Sequence, residues 1–185
     1  MAKNLLDVIT IVDVEATCHP RGEEPPDFLS EIIQIGLAFY NVTTREITQG
    51  GGVMIRPTQE ISTFCTELTG ITFRDVEYAE TLQDAVPSLM ANFWTNRRPW
   101  LSYGDYDRVQ FERECLEKDI PYPFGRRHIN VKTLLAVKEG WTKEVGMDEA
   151  LRQLGMPLIG KHHDAGDDAF NIAQIARYVF GRNRV

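Results

Sequence analysis

Cysteine is scarce, with only three in 185 residues. Cys18, Cys65 and Cys115 are odd in number, far apart and never arranged as C-x-x-C, which argues against both a disulfide framework and a cysteine zinc cluster. A reducing compartment fits this pattern. Long hydrophobic runs are missing too: nothing approaches the roughly 20 apolar residues that span a bilayer. The opening Met1 to Asp7 runs into a strand pattern without a signal-peptide hydrophobic region. A cytoplasmic protein with no membrane partner is expected. Positive charge is also in deficit, the formal net charge being -7. That excludes nonspecific coating of a polyanion by a broadly basic face, so any contact with nucleic acid must be local or bridged by metal. There is no internal repeat and no low-complexity segment, and the length suits one domain, residues 1–185, with one substantial core.

What is present reads as alternating strands and helices. Val8 to Val14 is a nearly continuous β-branched run, the pattern of a central strand buried on both faces. A polar loop with Pro20, Gly22, Pro25 and Pro26 leads to a second strand, Glu31 to Tyr40, and a turn at Asn41 to Arg45 leads to a third, Gly52 to Ile55. Thr81-Leu-Gln-Asp84 starts a helix with Leu82, Ala85, Val86, Leu89 and Phe93 on one face. Then come a short strand at Trp100 to Tyr103, a helix from Asp107 to Lys118 and a fifth strand near His128 to Val131. Helices follow over Lys132 to Glu139, Met147 to Leu154 and Asp167 to Phe180, the last stopping at Gly181 as a C′ residue. The order β-β-β-α-β-α-β-α predicts an α/β fold with a mixed sheet and helices packed on it.

Acidic residues cluster at the ends of these elements. Asp13 and Glu15 close the first strand two residues apart, and the period of two aims both side chains to one face. Like charges so placed raise each other's pKa unless a cation lies between them; the alternative is a strand end simply running into solvent. In Lys161-His-His-Asp-Ala-Gly-Asp-Asp168, the helix dipole accounts for Asp164 and Asp167. It does not account for Asp168, which borders the apolar face carrying Ile172 and Ile175 and so needs an inward partner such as metal, with His163 beside it. Ser102-Tyr-Gly-Asp-Tyr-Asp107 adds Asp105 and Asp107, either of which could merely cap a helix. Three acidic element ends in one small α/β domain predict convergence on one site.

Together these blocks resemble the DEDDh exonuclease superfamily, with its ribonuclease-H-like fold of three layers and a five-stranded mixed sheet. Asp13-Val-Glu-Ala-Thr-Cys18 and Phe64-Cys-Thr-Glu-Leu-Thr-Gly-Ile71 look most like the branch that trims small RNAs and histone message ends, and the likeness extends from Asp7 to Phe180. The resemblance implies that Asp13, Glu15, Asp107 and Asp168 hold two divalent ions, Mg²⁺ or Mn²⁺, and that His163 is the general base. Asp107 is preferred to Asp105 because the family acid lies four residues before an apolar helix position, here Phe111. His163 is preferred to His162 on the family spacing H-x-x-x-x-D. The resemblance also nominates Phe64, Leu68, Thr69, Ala16 and Thr17 for substrate contact. The implied partner is single-stranded RNA or DNA with a free 3′ end, RNA favoured, and the implied product a nucleoside 5′-monophosphate.

Two rivals are weaker. Asp13-Val-Glu-Ala-Thr17 superficially resembles the D-x-D-x-T strand end of haloacid-dehalogenase phosphatases, but that family needs an aspartate where Glu15 stands and gives His163 no role. A binding module that keeps the fold without chemistry would have no need of all five candidate side chains.

Overall fold

A computed structural model describes residues 5–181. The reading of Met1 to Asn4 as free of signal-peptide character lies outside the described residues. Five strands form one sheet in the order β3-β2-β1-β4-β5. They are β1 (Val8–Ala16), β2 (Ile32–Asn41), β3 (Ile47–Met54), β4 (Trp100–Ser102) and β5 (His128–Asn130). The first three make an antiparallel meander, while β4 and β5 join β1 in parallel, so the sheet is mixed as predicted.

The helices are α1 (Thr63–Thr69), α2 (Phe73–Val76), α3 (Leu82–Phe93), α4 (Tyr106–Glu117), α5 (Val131–Glu139), α6 (Met147–Gln153) and α7 (Ala165–Phe180). Alternate residues of β1 feed two cores. Ile9 and Ile11 pack with Leu135 of α5, Leu151 of α6 and Ile172 of α7 on one face. Val12 and Val14 pack with Leu89 of α3 and Phe111 of α4 on the other. This burial on both faces is what the β-branched run in β1 predicted. Among the described residues no helix is long and apolar enough to cross a membrane.

The third strand is longer than the sequence suggested, because Gly50, Gly51 and Gly52 hid its pattern. A Cβ at Gly50 would meet Leu37 and one at Gly52 would meet Gln34, whereas Gly51 takes a left-handed φ of 82°. A Cβ at Gly36 of β2 would lie 1.7 Å from the Ala165 carbonyl oxygen, and one at Gly166 would lie 2.9 Å from the Gly52 amide nitrogen. The bare sheet surface thus lets the amino end of α7 press against β2 and β3, the usual meaning of glycine inside a strand. Gln34 of β2 fastens that end: its Nε2 donates to Asp164 at 3.1 Å and its Oε1 accepts from the Ala165 amide at 2.9 Å.

Smaller differences have local causes. Asp164 caps α7 by accepting from the Asp167 amide, so the helix begins at Ala165, two residues before the predicted start. Asn130 caps α5 in the same way and takes Val131 out of the fifth strand. Gly181 ends α7 as expected, with φ -60° and extended ψ in place of the left-handed geometry common at that position. Helix α1 was not predicted; Ser62 accepts from the Cys65 amide at its start and Gly70, at φ 79°, closes it.

Candidate active site

β1 pairs with β4 only at Thr10 and Ile11. Beyond that the two strands part, and a crevice opens at their carboxyl ends, where open α/β sheets place ligands. Asp13 and Glu15 continue the parity of Ile9 and Ile11 and so face α7, as the alternation required. Asp107 reaches the same crevice from the first turn of α4. Its Oδ1 accepts from the Val14 amide at 2.9 Å, a donor left free by the divergence of β4. Asp168, one turn into α7, completes the group and is buried. Asp107 is therefore more than a helix cap, because its carboxylate also accepts from β1.

These acids line one cleft of about 310 Å³ together with Ala16, Leu68, His162 and His163. One carboxylate oxygen from each of Asp13, Glu15 and Asp168 lies within 4.8 Å of the others. Such crowding is costly for charge. Burial, then the neighbouring Asp107, Asp168 and Glu15, raise Asp13 well above the usual carboxylate range. Burial followed by Asp168 and Asp107 pushes Glu15 up to about 8. Burial also raises Asp107 to about 7, against the Val14 and Asp107 amides that favour its charged form.

Asp168 is raised by burial too, while the His163 amide and the His162 ring oppose the shift. The His163 amide donates to Asp168 Oδ2 at 2.9 Å, and His162 Nδ1 lies 3.0 Å from the same oxygen. Both histidines therefore face the cleft, their rings stacked with centroids 4.0 Å apart. The His163 ring points instead toward Glu15, Nδ1 to Oε1 being 3.7 Å. A left-handed backbone at His163, φ 64°, swings that ring away from its neighbour's carboxylate partner, a conformation non-glycine residues adopt mainly under constraint. Burial, then the adjacent His162, lowers the His163 pKa and keeps the ring neutral near pH 7.

The candidate substrate contacts divide. Ala16 and Leu68 line the cleft, and Phe64 is exposed on the same short helix as Leu68. Thr17 and Thr69 are not among the lining residues: both are buried and their hydroxyls are engaged elsewhere. Thr17 Oγ1 accepts from the Glu31 amide, and Thr69 Oγ1 donates to the Cys65 carbonyl while accepting from the Ile71 amide. Five lining residues, Val14 among them, were not nominated from the sequence. Val14 and Cys18 sit within the Asp13-to-Cys18 block, and Tyr103 and Tyr106 within the acidic Ser102-to-Asp107 block, which were usable signals; Met147 offered none. Lys161 ties the two sides together, its Nζ donating to the Thr69 carbonyl at 2.7 Å and so latching the histidine loop to α1.

The sheet order and the acids gathered at its strand ends are those of the ribonuclease-H-like nucleases. An exonuclease family model, RNase_T, matches residues 10–176, and the chain belongs to that family, in its DEDDh class and on the ERI-type branch. It is 31% identical to 3′-5′ exoribonuclease 1 of Homo sapiens over 95% of this chain and 53% of the relative. The 3′-5′ exonuclease Snipper of Drosophila melanogaster is 27% identical over 90% of this chain and 67% of its own. The chain thus spans about half the length of the human relative. The solved nuclease domain of 3′hExo, described as a DEDDh family member bound to rAMP, superposes with a TM-score of 0.80 at 29% identity, covering 96% of this chain and 93% of that one. Cell-death related nuclease 4 shares the fold, with a TM-score of 0.79 at 22% identity over 94% of this chain and 64% of its own.

Proposed function

We propose that the chain is a metal-dependent 3′-to-5′ exonuclease that removes nucleotides one at a time from single-stranded nucleic acid, RNA in preference to DNA, and releases nucleoside 5′-monophosphates. The observation that carries this is the convergence of Asp13, Glu15, Asp107 and Asp168 with His163 in one cleft. The donor set fits two divalent ions, Mg²⁺ or Mn²⁺, since it is all carboxylate oxygen, closely spaced and held against its own repulsion. When bound, such ions neutralise the scissile phosphate and make a water more acidic.

The four carboxylates hold that charge in place. His163, neutral and beside Glu15, takes the proton from the attacking water, and its backbone amide keeps Asp168 oriented. Ala16 and Leu68 give the terminal nucleotide an apolar wall, and Phe64 offers a ring for an unpaired base. RNA is favoured because relatives bear the name exoribonuclease and the similar nuclease domain was solved with rAMP. Trimming of RNA ends in the cytoplasm is the role this reading carries.

Linear and circular single-stranded RNAs of one sequence, incubated with Mn²⁺ and then with EDTA, test it. A 5′-labelled linear strand should shorten from its 3′ end, stop shortening in EDTA and yield mononucleotides. Equal degradation of the circle would refute it.

A further inference from the structure

The pole of the sheet opposite the carboxylates carries a different chemistry. Arg97 and Arg98 precede β4 with only Pro99 between, and Arg126 and Arg127 immediately precede β5. With Asn96 and Gly125 they line one cavity of about 380 Å³, and no acid lines it. Three other arginines, Arg108, Arg113 and Arg152, each pair with glutamate on their own helix, and the remaining described ones, Arg21, Arg45, Arg56, Arg74 and Arg177, are scattered singly along the chain. Among the described residues none of the four polar-end arginines makes an ion pair, and Arg98 Nε is buried with no hydrogen-bond partner. In a chain of net charge -7 this local surplus is unexpected.

The two loops that carry it are hydrogen-bonded to each other and to β4. Thr95 Oγ1 donates to the Pro123 carbonyl at 2.6 Å, the Gly125 amide donates to the Thr95 carbonyl at 3.3 Å, and Trp100 Nε1 donates to the Gly125 carbonyl at 3.0 Å. They touch so closely that a Cβ at Gly125 would lie 3.1 Å from the Asn96 carbonyl oxygen. The Arg98 guanidinium lies 5.5 Å from the Trp94 ring centre, adding an aromatic surface at the rim.

We propose that Arg97, Arg98, Arg126 and Arg127 form a second anion-binding site that grips the phosphodiester backbone of the nucleic acid several nucleotides upstream of the 3′ end. This rests on the nuclease reading of the cleft. Planar guanidinium forks match phosphate oxygens, and a fixed array loses little entropy on engaging them. The distance sets which part of the strand is held. Thr10 of β1 pairs with Trp100 beside the arginines, and Glu15 lies five residues further along β1, about 16 Å at ~3.3 Å per residue. The arginines therefore cannot touch the nucleotide being removed, and only a strand long enough to run between the two ends reaches both.

Binding without cleavage separates this site from the active site. Anisotropy of 5′-labelled single-stranded RNAs of 2 and 20 nucleotides is measured with the full chain in EDTA, across a salt series. Arg97→Ala/Arg126→Ala/Arg127→Ala, all at exposed positions, should weaken binding of the longer RNA about 10-fold or more and leave the shorter one unchanged. The slope of log affinity against log salt should shrink by about 2, three contacts at about 0.7 each on a single strand. The triple Arg→Lys variant should keep most of the affinity, and its melting curve with that of the alanine variant verifies folding. Arg45→Ala/Arg152→Ala/Arg177→Ala removes the same charge elsewhere and should change nothing. Unchanged binding of the longer RNA in the first variant, or an equal loss in the control, overturns the site. Competition by poly-L-glutamate as effective as by RNA overturns its assignment to nucleic acid in favour of an acidic protein. Arginine-dependent binding without cleavage in Mn²⁺ would instead sink the nuclease reading and leave the anion site standing.

Discussion

His162 Nδ1 lies 3.0 Å from Asp168 Oδ2, whereas the ring of the adjacent His163 faces Glu15. One histidine is thus a partner of a ligand carboxylate and the other is turned toward the cleft. His163→Ala should lower kcat by roughly 10²- to 10⁴-fold with little change in metal affinity, the usual range for a lost general base. His162→Ala should keep kcat within about 10-fold and instead shift Mn²⁺ affinity, because it removes a group that sits on Asp168 when no ion does. Single-turnover rates and Mn²⁺ titration calorimetry on both variants decide. A larger kcat loss in His162→Ala would reassign the base.

The pH dependence of that rate has a definite sign. A base acts when deprotonated, so the rate should rise as pH passes the His163 pKa and level off above it. Burial and His162 place that pKa below the ordinary histidine value of 6.5, and bound cations push it lower still. The acid limb should therefore lie below pH 6.5 and vanish in His163→Ala. A limb that persists in the variant would belong to a carboxylate.

Stability of the metal-free protein should depend on pH in the direction opposite to ordinary salt-bridged acids. Glu15 moves from 4.5 to about 8 on folding and Asp107 from 3.8 to about 7. Between the lower and upper values the folded state holds protons that the unfolded state has released, so stability falls as pH rises through that window. In EDTA the melting temperature should drop from about pH 5 to about pH 8, and added Mg²⁺ or Mn²⁺ should raise it more at the upper end. An ion-induced rise of equal size at both ends would speak against a carboxylate metal site.

Asp13→Asn should abolish cleavage and still raise the metal-free melting temperature, by about 2–6 °C, since it removes one charge from a cluster in which burial and four acids all oppose ionisation. Asp168→Asn should gain less, because Asp168 already accepts from the His163 amide. Calorimetric scans in EDTA measure both. A lower melting temperature for Asp13→Asn would favour a structural hydrogen-bonding role over ligation.

Gly36→Ala should cost about 3 kcal/mol and also impair activity, because the added carbon collides with the Ala165 carbonyl and displaces the turn that carries Asp168. Denaturant melts and metal affinity measured together test this. Lost stability with normal metal affinity would mean that α7 accommodates the methyl without moving its acid.

The sequence by itself determined the central strand, the mixed sheet and the parity of Asp13 and Glu15, because a period of two and a β-branched run are local properties of the chain. It also marked Asp168 as an acid on an apolar helix face, a contradiction visible in spacing alone. Only the tertiary structure decided what depends on surfaces meeting. Gly36 and Gly166 gave no signal, because their meaning is the contact of α7 with β2 and β3, more than a hundred residues away along the chain. Thr17 and Thr69 share segments with cleft residues, yet their hydroxyls are satisfied by backbone and turned inward. Asp105 and Asp107 are equivalent as helix-start acids; the Val14 amide, which has no partner in β4 and donates to Asp107, distinguishes them. The same holds for the four arginines, two pairs about thirty residues apart that become one site because β4 and β5 lie side by side.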